Sequence, residues 1–143
     1  MNTDRTTGTV QQAPGERHAH WFLRFALASV FLYMGIDKFM GGGVAEFSMM
    51  MGLPLVLGSA VALGEVGTGL LILLGGLIAS QLGDLATRLA ALGMILILLG
   101  AIFMVHWGQW HFMATASHPL GGMMFQVTLV MMALYLLAKG NNA

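Results

Sequence analysis

The sequence predicts an all-α membrane protein, four transmembrane helices packed as one antiparallel bundle. Three observations predict it. Of the 143 residues, 57% are hydrophobic and only 8% are charged, whereas ordinary soluble domains carry about 25% charged residues. Four apolar runs are each long enough to cross a hydrocarbon core about 30 Å thick, which needs about 20 helical residues at a rise of about 1.5 Å each. Short stretches join these runs, so neighbours in sequence should pack antiparallel in a single bundle. The expected partner of the outer surface is therefore the lipid bilayer. Zero net charge and six basic residues leave no cationic face for nucleic acid. The absence of cysteine removes disulfides, thiol exchange and thiolate-held clusters.

Residues 1–18 are polar, with no apolar run of the length a secretory signal requires, and read as a disordered cytoplasmic tail. The transmembrane domain spans 19–139. Its first helix, 20–39, opens with His20 and Trp21 as an interfacial anchor. Gly41, Gly42 and Gly43 then break the chain, and Val44 to Met51 can form one or two interfacial turns. The second helix, 53–80, starts at Pro54, whose fixed φ suits a helix start. Gln81 to Thr87 reads as a polar connection before the third helix, 88–107. A loop with Trp107, Trp110, His111 and His118 leads to the fourth helix, 119–139, and 140–143 form a short tail.

Orientation follows from the basic residues. An even number of spans puts both termini on one side, together with Arg5, Arg17, Arg24, Arg88 and Lys139, and leaves Lys38 alone on the other. Since basic residues are retained on the cytoplasmic side, both termini are expected in the cytoplasm of a bacterial inner membrane.

The most informative residue is Glu65, the one acid near the middle of a span. An ionised carboxylate is costly at that depth, so it should stay protonated or face the interior and find a partner. Its helical neighbours Gly58, Ala62 and Gly69 are small and admit another helix closely. On the first helix Arg24, Ala28, Phe31, Gly35 and Lys38 share one face. Arg24 and Tyr33 are the expected partners of Glu65. Thr68 and Gln126 complete an expected interior polar set with Arg24, Tyr33, Lys38 and Glu65. Two roles suit it: an interhelical clamp, or a proton relay through Glu65 beside a carrier.

The outer loops suggest a second site. His106, His111, His118 and Met113 bring imidazoles and a thioether to one side of the membrane, a soft set suited to copper. His106 and His111 are about 140° apart on a helix, so their spacing encodes no shared face. Trp107 and Trp110 suit an interfacial belt, and with His106 they could border a cofactor headgroup.

LRFALASVFLYMGIDKF (Leu23–Phe39), GLP (Gly52–Pro54), GEVGTGLLILLGG (Gly64–Gly76) and TRLAALG (Thr87–Gly93) together resemble the DoxX family. Where that family often opens its last helix with Gly-Gly-x-Glu, this chain has Gly121-Gly122-Met123-Met124. The resemblance implies a four-helix inner-membrane protein, similar in some members to the small subunit of thiosulfate:quinone oxidoreductase. It implies an accessory or anchor subunit of a membrane redox complex with protein partners. A quinone-reactive subunit using Glu65 is one alternative, and a copper-handling protein using the Met/His loops is another.

Overall fold

The computed structural model describes residues 16–116 and 121–142, and the side chains from residue 18 onward within them. The helices are α1 (Glu16–Asp37), a short α2 (Gly43–Met50), α3 (Leu55–Leu77), α4 (Gln81–Ala101) and α5 (Met123–Lys139). A π-helical turn, Ile102–His106, extends α4, and a 3-10 turn, Gly140–Asn142, ends α5. No strand occurs among the described residues. Among the described residues, four helices are long and apolar enough to cross a membrane: α1, α3, α4 with its π turn, and α5 with the 3-10 turn. Helix α3 packs against both α1 and α4, and α4 packs against α5, while α1 and α5 touch only slightly.

Several boundaries differ from the sequence reading. Helix α1 starts at Glu16, inside the stretch expected to be tail; residues 1–15 lie outside the described residues. Gln81 to Thr87, expected to be a polar connection, is the first part of α4, and only 78–80 join it to α3. The reason is packing. Gly83 and Thr87 are buried and lie on the same helical face as Ala90, Ala91 and Met94, so the polar composition of this segment conceals a regular inward stripe. Ser80 at the N-cap is extended, and Asp84 falls in the first turn, where an acid complements the helix dipole. Helix α5 starts at Met123 rather than at 119, and 117–120 lie outside the described residues. The segment 140–143, expected to be a tail, folds as far as Asn142 into the 3-10 turn.

The core is built from Leu27, Ala28 and Phe31 of α1, Ile72 of α3, Ala90, Ala91, Met94, Ile95 and Leu98 of α4, and Leu129, Ala133 and Leu136 of α5. The opposite faces carry exposed apolar side chains along each helix, among them Phe22, Leu63, Leu70, Leu96 and Met131. An exposed apolar surface of this extent suits lipid. Between α1 and α3 the backbones almost touch at Gly35. A Cβ there would lie 2.9 Å from Val66 N and 3.0 Å from Glu65 Cβ. Such close approach is what small residues contribute to helix packing in a bilayer.

Candidate functional site

Helix α3 turns one face inward along its length: Gly58, Ala62, Glu65, Gly69, Ile72 and Gly75 are all buried, at spacings of three and four. Glu65 is the only ionisable group on that face and is 3% exposed. Its partner is Lys38, one residue beyond the end of α1, whose Nζ lies 2.7 Å from Glu65 Oε2. The same ammonium donates to Met34 O at 3.2 Å and sits 4.8 Å from the centre of the Phe47 ring on α2. It is thus held by a carboxylate, a carbonyl and an aromatic face, and its side chain retains 11% exposure.

The partners expected for Glu65 are therefore corrected. Arg24 and Lys38 do share one inward face of α1 with Ala28, Phe31 and Gly35, but their depths differ. They are fourteen residues apart, about 21 Å along the axis. Arg24 donates to Ile72 O at 2.7 Å, and Ile72 lies seven residues, about 10 Å, beyond Glu65 on α3. Tyr33, expected in the interior, is 62% exposed on the outer surface of α1. Thr68 donates to Gly64 O in its own helix at 2.7 Å and adds no bond between helices.

Arg24 organises a second polar centre at the opposite end of the bundle. The residue is wholly buried, and its guanidinium donates to Ile72 O, to Thr87 Oγ1 at 2.9 Å, to Asn141 Oδ1 at 2.9 Å and to Gly140 O at 3.4 Å. Asn141 multiplies these links. Its Nδ2 donates to Gly75 O and Ile78 O at the end of α3, its Oδ1 accepts from Thr87, and its backbone N–H donates to Asp84 Oδ1. Asp84 pairs with Arg88 one turn later, and Arg88 donates to Leu137 O and Ala138 O, two of the last carbonyls of α5. These are carbonyls that a helix C-terminus leaves without partners of its own. Sequence reasoning did not find Thr87, Asp84 or Asn141. Thr87 was legible as the polar member of the Gly83, Thr87, Ala90, Ala91 stripe; Asn141, in a short polar end, carried no signal.

A third contact joins Gln126, 1% exposed on α5, to His106 at the end of the π turn, with Nε2 to Nε2 at 3.4 Å. His106 is buried there, whereas Trp107, Trp110 and Met113 are exposed, and Trp107 stacks on Phe103 with ring centroids 5.2 Å apart. His111 Nδ1 lies 3.0 Å from Met113 O. The expected His/Met set is spread over different elements: His106 is at the end of the π turn, His111 and Met113 are in the loop, and His118 lies outside the described residues. Among the described residues no three His, Cys, Asp or Glu gather in a metal-binding group.

Chemically, the pair at Glu65 can hold a charge or exchange a proton within a dry interior, whereas the Arg24 centre is a knot of donors and acceptors joining four elements. A family model described as DoxX matches residues 19–107, from the start of α1 to the π turn and well over half of the chain. Neither the curated proteins nor the solved structures give a match.

Proposed function

The chain belongs to the DoxX family, and from that premise we propose that it is a small inner-membrane subunit that anchors or accompanies a membrane redox assembly. The observation that carries this reading is the use to which the interior charges are put. Lys38 and Glu65 join α1 to α3, and Arg24 joins α1 to α3, α4 and the C-terminal turn. Contacts of this kind are interhelical glue, which suits a scaffold that presents fixed surfaces to partner proteins. Purification from native membranes in mild detergent, followed by identification of what travels with the chain, tests the reading. A recurrent redox partner supports it, and a chain that always purifies alone overturns it.

A second reading is favoured by one feature. Glu65 is a buried acid in direct contact with a single cation that borders an outer cleft. In this reading Glu65 exchanges the proton that accompanies reduction of a quinone. Glu65→Gln separates the two, because an amide keeps the shape and cannot take the proton. For a scaffold, the variant lowers assembly or thermal stability and leaves turnover per assembled complex unchanged. For a relay, the complex assembles and its quinone-linked turnover slows.

The orientation belongs to the same proposal. The bundle end that holds Arg24, Arg88 and the C-terminal turn is assigned to the cytoplasm, and the end with α2 and the Trp107/Trp110 loop to the periplasm. Reporter fusions at Gly42 and Gly108 should read as periplasmic, and fusions at Gly83 and Asn141 as cytoplasmic. The inverse pattern would reverse the assignment.

A further inference from the structure

Helix α2 has a construction unlike that of the four long helices. It is eight residues long, and its principal contact is with α3. Glycines with positive φ stand at both ends: Gly41 at 58° before it, Gly43 at 73° as its first residue, and Gly52 at 64° after it. At none of the three would a Cβ meet any atom within 4 Å. These glycines are therefore required for backbone conformation and not for space, as expected of hinges that absorb a change of φ and ψ.

What α2 covers is the cation of the ion pair. The Phe47 ring lies against the Lys38 ammonium. One residue on, buried Ser48 rests on Gly58 of α3, where an added Cβ would lie 3.0 Å from Ser48 Cβ and 3.5 Å from Ser48 Cα. The Ser48 hydroxyl donates to Val44 O within α2, so at this point α2 is held on α3 by surface fit. Between α2 and the end of α1 lies an open cleft of about 280 Å³ lined by Lys38, Asp37, Glu46, Phe47, Met50 and the glycine hinge. Lys38 borders that cleft and Glu65 does not.

We propose that α2 is a hinged lid over the Lys38–Glu65 pair, and that its opening is the route by which water reaches Glu65, from the α2 side of the membrane alone. Among the contacts that close the lid in this structure are the Phe47 ring on the ammonium and the Ser48 surface on Gly58. The second can be loosened without touching the pair itself. The inference holds under both readings above, since each leaves the pair beneath α2.

The absence of cysteine and the direct contact of an amine with a carboxylate allow a specific test on the full chain in membrane vesicles of each orientation. A water-soluble carbodiimide converts the Glu65 carboxylate to an activated ester. The Lys38 amine then displaces the urea, leaving an amide cross-link that peptide mass spectrometry distinguishes from products at Asp37 or Glu46. The cross-link should form from the α2 side and not from the other. Gly58→Ala, whose added Cβ crowds the Ser48 side chain and loosens the seat of α2 on α3, should raise its rate by about tenfold, the scale of effect that overpacking a close contact produces. Ser48→Gly combined with Gly58→Ala should return the rate toward wild type. Phe47→Ala, which removes the ring without adding bulk, should raise it as well and keeps the test open should Gly58→Ala fail to fold. Equal rates from both sides, no cross-link from the α2 side, or rates unmoved in folded Gly58→Ala and Phe47→Ala would each overturn the lid.

Discussion

The two charged centres inside the bundle solve the same problem in different ways. Arg24 is a buried cation whose direct acceptors are neutral: two carbonyls, a hydroxyl and an amide oxygen, drawn from α3, α4 and the C-terminal turn. Lys38 is a cation with a carboxylate at 2.7 Å, and the pair involves α1 and α3, with only a small lid helix above it. A planar guanidinium with five donors can collect acceptors from several helices at once, whereas a compact ammonium with three donors on a flexible stem gathers partners close to one point. The Arg24 centre is thus built for connection among many elements. The Lys38 centre has a single charged partner, with one carbonyl and one ring beside it, and borders an open cleft. The difference teaches that a buried charge in a membrane bundle need not mark chemistry; what its acceptors are, and what covers it, separate a knot from an exchangeable site.

The largest effect that would sharpen this contrast is expected at Arg24. Arg24→Ala should destabilise the bundle by about 3 kcal/mol, the upper end for leaving buried neutral acceptors without their charged donor, and should loosen the C-terminal turn. Arg24→Lys should recover little, because one ammonium cannot reach Ile72 O, Thr87 and Asn141 in the fork geometry. Reversible unfolding in detergent or bilayer, with hydrogen exchange at 140–142, measures both. A lysine variant as stable as wild type would break the distinction between the two cations.

A smaller effect is expected at the Lys38–Glu65 pair, and it carries more information. A double-mutant cycle with Lys38→Met and Glu65→Gln should return a coupling of about 1–2 kcal/mol, near the upper end for polar contacts between membrane helices. The corresponding cycle between Arg24 and Glu65 should return a coupling near zero, since about 10 Å of helix separates Glu65 from the residue that Arg24 engages. Substantial coupling between Arg24 and Glu65 would mean that the two centres act as one.

The smallest effect is expected at Tyr33. Its exposed position on the outer surface of α1 predicts that Tyr33→Phe changes stability by less than about 0.5 kcal/mol. A larger loss in the assembled complex but not in the isolated chain would locate a partner surface on that face of α1.

Much of the fold could be read from residue order. The apolar runs, the Gly41–Gly43 break and Pro54 each marked a feature that the structure contains, and the shared face of Arg24, Ala28, Phe31, Gly35 and Lys38 is the inward face of α1. Reading stopped where composition and periodicity disagreed. Gln81 to Thr87 looks like a connection by composition, yet its small polar residues at helical spacing pack against the end of α3. The candidate site was legible as one acid among small residues, but its partner was not.

By itself the sequence determined that this chain lives in a bilayer, that it crosses as helices, and that Glu65 must turn inward, because hydrocarbon admits neither a charged surface nor unpaired backbone. The tertiary structure decided which cation meets that acid. Arg24 and Lys38 are equivalent in angle around α1, and only the axial stagger of α1 against α3, set by backbone contact at Gly35, puts Lys38 level with Glu65. It also decided that Asn141, from the far end of the chain, completes the Arg24 centre. Helical periodicity encodes direction around an axis, whereas depth along it and contact with a distant segment arise only when the helices pack.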